Sequence, residues 1–104
     1  MSYIDALSHL KFKTTSTEIE GITFYLREIS LGIRLKYEKE QDHMTKTLKM
    51  MYASLCDEDG CLTEKEEDFD RFVAVMPERI LKKLVDAFIS LNYPNQNEDK
   101  DLKN

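Results

Sequence analysis

Glycine is scarce in this chain, with three in 104 residues. Gly21, Gly32 and Gly60 stand too far apart to build a glycine-rich cradle around a phosphate. Cysteine is scarcer, with Cys56 and Cys61 alone, too few for the disulfide framework of a small secreted domain. A structural zinc site wants four ligands, and neither His9 nor His43 lies at ligand spacing from the two thiols. No apolar run is long enough to cross a bilayer. The start, Met1-Ser2-Tyr3-Ile4-Asp5, lacks the basic beginning and apolar stretch of a signal peptide, so the expected location is the cytosol where the chain is made. Positive charge is also short: the net charge is −5. Residues 1–49 hold eight Lys/Arg against seven Asp/Glu, and residues 50–104 hold seven against thirteen. Such a surface repels phosphate, and without a basic stripe no nucleic-acid binding is expected.

What remains is globular. Hydrophobic residues make up 41% and charged residues 34%, which is too apolar for a disordered chain and polar enough for a small surface-rich domain. At this length one domain with one modest core is expected, without an enclosed catalytic pocket.

Ser2 is placed to cap a short turn carrying Ile4, Leu7 and Leu10 at helical spacing. Residues 11–28 read as a β-hairpin. Lys11 to Thr17 is rich in β-branched residues, Glu20-Gly21 punctuates it, and Ile22, Phe24 and Leu26 alternate onto one face. Such a hairpin is marginal alone and must lie on helices.

Ser30 suits the cap of a helix over about 31–41. In it Leu31 and Leu35 share one face, while Ile33 and Tyr37 share roughly the opposite one. Arg34–Glu38 and Lys36–Glu40 stand at i,i+4, each pair worth ~0.2–0.5 kcal/mol. Asp42 suits the cap of a helix over about 43–56, with Met44, Leu48, Met51, Tyr52 and Leu55 as its core stripe. Asp57-Glu58-Asp59-Gly60 forms a turn, and Thr63-Glu64-Lys65-Glu66 has capping-box spacing ahead of a helix bearing Phe69, Phe72, Val73 and Met76. Pro77 fits the first position of a last helix, about 78–92. There Ile80, Leu81, Leu84, Val85, Ala87, Phe88 and Leu91 fill an arc ~160° wide at ~100° per residue. The expected fold is mainly α: a small bundle of about four helices with a short N-terminal β-hairpin. Residues 1–92 form the domain, and 93–104, with Pro94 and three Asn, read as a flexible tail.

Few residues point to chemistry. The acidic turn resembles part of a calcium loop, yet Leu55 stands where an EF-hand needs an oxygen ligand. Glu64, Glu66, Glu67, Asp68 and Asp70 read as a solvated helix face whose acids suit the helix N-terminus, with a basic partner as the other reading. No acid, base, nucleophile or metal constellation stands out, so an enzyme is not expected, and no cofactor is implied. Met50, Ile33, Tyr37 and Ile89 are more suggestive, as apolar residues on nominally polar faces. If they converge, they form an adaptable binding surface.

The order of these elements resembles the tail assembly chaperones of lambda-like siphophages. A strand ending Phe24-Tyr25-Leu26-Arg27-Glu28-Ile29-Ser30 leads into a helix pair. Then come Leu55-Cys56-Asp57-Glu58-Asp59-Gly60-Cys61-Leu62-Thr63, an acidic helix, a break at Met76-Pro77, and Leu84-Val85-Asp86-Ala87-Phe88-Ile89-Ser90-Leu91-Asn92. In that family a strand ending Arg-Glu-Leu precedes the helices, an acidic Asp-Glu-Asp-Gly turn sits mid-chain, and the domain closes on Leu-Asn. The resemblance spans residues 18–92. Cys61-Leu62 departs from the aromatic residue frequent after the turn.

The resemblance implies a non-enzymatic protein of the host cytoplasm, absent from the mature virion. It would bind the tape measure protein, keep it soluble and promote polymerisation of tail tube subunits around it. It also implies self-association, and a longer form made by ribosomal frameshifting whose extension recruits the tail tube protein. Ile33, Tyr37, Met50 and Ile89 are then the expected contact positions. Leu102-Lys103-Asn104 is compatible with codons ending A AAA AAC, on which a ribosome slips back one base, and an extension there would leave the folded domain intact. Two other classes compete. A structural head–tail connector or other small virion component would share small size and self-association. A helix-turn-helix regulator at 64–92 is opposed by the net charge and by the apolar breadth of the last helix.

Overall fold

The computed structural model describes residues 2–94. The chain is mainly α, with five helices and one small antiparallel sheet. In order they are α1 (Tyr3–Leu7), β1 (Thr14–Ile19), β2 (Ile22–Arg27), α2 (Leu31–Lys36), α3 (His43–Ser54), β3 (Leu55–Cys56), α4 (Phe69–Val75), entered through a 3-10 turn at Glu66–Asp68, and α5 (Glu78–Asn92).

The hairpin forms where the alternation places it. β1 and β2 pair from Thr14↔Arg27 to Ile19↔Ile22. Glu20 and Gly21 close it with φ of 51° and 85°, the left-handed pair that matches the twist of a two-residue hairpin. Glu20 adopts this conformation without glycine's freedom. Its carboxylate is held by Arg79 of α5, whose Nε and Nη2 donate at 2.6 and 2.8 Å. The inner face carries Ile19 and Leu26, both buried, with Phe24 half-buried beside them.

α5 lies across β1 and β2 and also against α3. Ile80, Leu84 and Phe88 are buried at the centre of its arc. Leu81, Ala87, Ile89 and Leu91 pack around them, and Arg79, Lys82, Lys83 and Asp86 face solvent. Met50, Met51, Tyr52 and Leu55 complete the core from α3 and the residue after it. The side chains of Ser2, Ser30 and Asp42 accept from the backbone N–H of Asp5, Ile33 and Thr45, so the three expected caps are made.

Several expectations need correction. The helix expected over 31–41 ends at Lys36, so its two i,i+4 pairs do not form. Instead Lys36 bonds Glu66 of the 3-10 turn, and Glu40 pairs with Lys49 of α3 at 3.0 Å. α3 ends at Ser54, because Leu55 and Cys56 turn extended and pair with Leu26 and Tyr25 as a third strand. The capping box is not used. The Thr63 N–H, which Glu66 would have to reach, donates instead to the Leu55 carbonyl at 3.3 Å, and neither the 3-10 turn nor α4 has a side-chain cap. Pro77 is the residue before α5 and not its first. The bundle of about four helices is therefore five helices, the first a single short turn, around a three-stranded sheet. Tyr93, assigned by the sequence to the tail, packs on the core and meets Phe88 edge-on with ring centres 6.4 Å apart. The rest of the expected tail from residue 95, with the frameshift position at 102–104, lies outside the described residues.

Candidate functional site

Among the described residues no group of three or more His, Cys, Asp or Glu is disposed to hold a metal ion. The acidic turn has a structural use. Asp57 Oδ1 accepts from the N–H groups of Asp59 and Cys61 at 2.9 and 3.0 Å, and Gly60 closes the turn at φ 87°. The Gly60 carbonyl accepts from Arg27 Nη1 at 3.1 Å, fastening the turn to the end of β2. Cys56 is buried in β3, and that burial pushes its thiol pKa up, which disfavours the nucleophilic thiolate. The acidic run is partly engaged: Glu66 bonds Lys36, and Asp68 lies 3.6 Å from Arg71. Glu64, Glu67 and Asp70 stay exposed.

Apolar surface and hollows are the more prominent feature among the described residues. The four apolar candidates converge only in part. Ile33 and Tyr37 are half-buried and turn inward onto the core. Leu31 and Leu35, on the other face of α2, are left 69% and 59% exposed. The two faces of this helix are thus exchanged relative to a reading that puts the leucines inside. α3 shows a similar exchange: Met50, expected to project outward, is 6% exposed, and Met44, expected on the core stripe, is 61% exposed. Position along the helix decides this. Met50 and Met51 lie near the C-terminal end of α3, a helix that packs against α5 and β2, whereas Met44 lies in its first turn.

Met50 and Ile89 do share one feature. With Phe88 and Tyr93 they form the apolar part of a cavity of about 310 Å³ between α2, α3 and α5, whose remaining lining is Arg34, Glu38, His43, Lys46 and Thr47. The Arg34 guanidinium lies 5.0 Å from the centre of the Tyr93 ring, and its Nη2 donates to Tyr93 Oη at 2.8 Å. On the other side of α2, Tyr37 lines a more acidic cavity of about 290 Å³ with Lys49, Tyr52, Glu66, Glu67, Phe69 and Asp70. There Tyr52 packs against Phe69 and Phe72, with ring centres 5.3 and 4.8 Å away, and donates to the Lys65 carbonyl at 2.6 Å. Burial raises its pKa.

Two features had weak sequence signals. Asn92 accepts the Ile29 N–H at 2.9 Å and donates to the Phe88 carbonyl at 3.1 Å, so the Leu-Asn ending of α5 ties down the strand-to-α2 connection. A second apolar surface surrounds α1. Tyr3, Ile4, Leu7 and Leu10 are all exposed, and Leu7, Leu10 and Phe12 border a hollow with Ile29 and Leu31. The spacing of Ile4, Leu7 and Leu10 was the available signal, and it marks an outward stripe.

No family model and no curated protein matches the sequence. Among solved structures, the tail assembly chaperone of bacteriophage HK97 matches with a TM-score of 0.58 at 16% sequence identity, over 86% of this chain and 96% of that one. At that identity the likeness establishes a shared fold, and the fold is that of a protein of the kind that the order of elements in the sequence resembles.

Proposed function

We propose that this protein is a tail assembly chaperone of a long-tailed bacteriophage, and that it works by binding other phage proteins without chemistry of its own. The carrying observation is the match of 86% of this chain to 96% of the HK97 tail assembly chaperone. One fold serves many functions. Two further features favour this one: the order of short motifs over residues 18–92, and the apolar surface a chaperone needs, here exposed at Leu31, Leu35, Met44 and along α1. The net charge of −5 keeps such a surface soluble.

The partner is the tape measure protein, a very long helical chain whose apolar seams need cover until tube subunits polymerise around it. Contact is helix on helix or helix in groove, with Met50 and Ile89 in the α2–α3–α5 cavity and Ile33 and Tyr37 supporting α2 beside it. The protein acts in the host cytoplasm, associates with itself and is left out of the finished virion. A frameshifted form carries an extension that recruits the tail tube protein.

Co-expression with the tape measure gene of the same genome tests this. The tape measure is expected to become soluble and to co-purify with the chain at low and moderate salt. An insoluble tape measure with no captured complex refutes the proposal. Finding the chain in purified particles assigns it to the virion instead. The codons for 102–104 decide the frameshift: any sequence other than one ending A AAA AAC there removes it.

A further inference from the structure

The α2–α3–α5 cavity differs in charge from the surface beside it, and that difference points to what it receives. Its floor is apolar, with Met50 and Phe88 buried and Ile89 half-buried. Methionine in such a floor adapts to side chains of different shape. Its rim holds two cations, Arg34 and Lys46, and one carboxylate, Glu38, beside His43 and Thr47. Among the described residues Lys46 makes no ion pair, and the side-chain bond of Arg34 is to a neutral phenol, Tyr93 Oη. Lys36 and Lys49, which line the acidic side of α2, each hold a carboxylate. Two cations without carboxylates therefore flank an apolar floor on a chain whose net charge is −5. A volume of about 310 Å³ admits one or two side chains and not a whole helix.

We propose that this cavity receives an apolar side chain from an amphipathic helix of the tape measure protein that carries carboxylates about one turn away, and that Arg34 and Lys46 select for those carboxylates. The inference rests on the chaperone reading above and adds the chemistry of the segment recognised. Rim charges mainly set association rate, salt dependence and choice among partners, while the buried floor holds the bound side chain. Acidic amphipathic segments are therefore preferred over basic ones of equal apolarity.

The test uses the full chain and overlapping 25-residue synthetic peptides covering the tape measure of the same genome, with binding followed by fluorescence anisotropy. Wild-type protein is expected to bind a subset of net acidic peptides. Lys46→Glu is expected to weaken them by about tenfold, with a shallower salt dependence. Replacing the carboxylates of a bound peptide by lysine is expected to abolish binding to wild type and restore it to Lys46→Glu. Circular dichroism of Lys46→Glu checks that the fold persists, and Lys46→Gln, expected to give an intermediate loss, serves if it does not. If no peptide binds wild type and the intact tape measure is not captured, the chaperone reading fails. If the tape measure or its peptides bind, but wild type and both Lys46 variants bind with the same affinities and show no preference for acidic segments, the chaperone reading stands and this inference is overturned.

Discussion

α5 and α2 both carry apolar residues at helical spacing, and the structure treats them differently. α5 runs fifteen residues from Glu78 to Asn92, long enough for one wide apolar arc to outweigh stray residues, and the arc packs where its pattern puts it. α2 runs six residues and carries apolar side chains on both faces, Leu31 and Leu35 on one, Ile33 and Tyr37 on the other. Its pattern is satisfied by either orientation. The connections on each side decide: Asn92 anchors the Ile29 N–H just before α2, and Arg34 stacks on Tyr93. Those contacts turn Ile33 and Tyr37 inward and leave the leucines to solvent. A long helix declares its buried face in sequence, and a two-turn helix takes it from its neighbours.

The contrast is sharpest for truncations. Phe88→Ala, at a position with no exposed surface, is expected to cost about 3–5 kcal/mol in urea or guanidinium unfolding. Leu35→Ala is expected to stay within about 0.5 kcal/mol of wild type. A Leu35 loss comparable to that at Phe88 would restore the opposite orientation of α2. The two methionines of α3 repeat the comparison at smaller scale. Met50→Ala should cost about 2–5 kcal/mol, and Met44→Ala close to nothing, read as the shift in denaturant midpoint. Asn92→Ala leaves the half-buried Ile29 N–H without its acceptor and is expected to cost about 1–3 kcal/mol. Faster hydrogen exchange should then centre on Ile29, and exchange unchanged there would remove Asn92 from the account.

The smallest effect is at the cap of α3. The hydroxyl and then the backbone N–H of Thr45 hold the pKa of Asp42 below its usual 3.8. A carboxylate with a depressed folded pKa adds stability above its unfolded value, and that stability is lost as pH falls through the folded one. Asp42→Asn keeps an acceptor without the titration. Acid unfolding followed by circular dichroism should therefore be slightly steeper below about pH 3.8 in wild type than in the variant. Parallel curves would show that the cap contributes nothing pH-dependent.

Legibility followed the range of the interactions. The hairpin, the caps at Ser2, Ser30 and Asp42, and the arc of α5 depend on residues a few positions apart, and all were readable. β3 has two residues, with no period to detect, and exists because Leu26 and Tyr25 of β2 lie beside Leu55 and Cys56. Thr63 and Glu66 have the local signature of a capping box, yet the Thr63 N–H goes to the distant Leu55 carbonyl and not to Glu66. The candidate site was half readable for the same reason. Ile89 and Met50 stood out as apolar residues off their stripes. That they share a cavity with Phe88 and Tyr93, and that Arg34 and Lys46 rim it, depends on three helices meeting.

On the proposed function, the exposed apolar surfaces hold a larger phage protein in solution. The direct measurement is light scattering as denatured tape measure is diluted into buffer with and without an equimolar amount of this chain. The account predicts that scattering is suppressed and that the tape measure elutes with the chain in one soluble complex. Equal scattering in both samples, with the chain eluting alone, contradicts it.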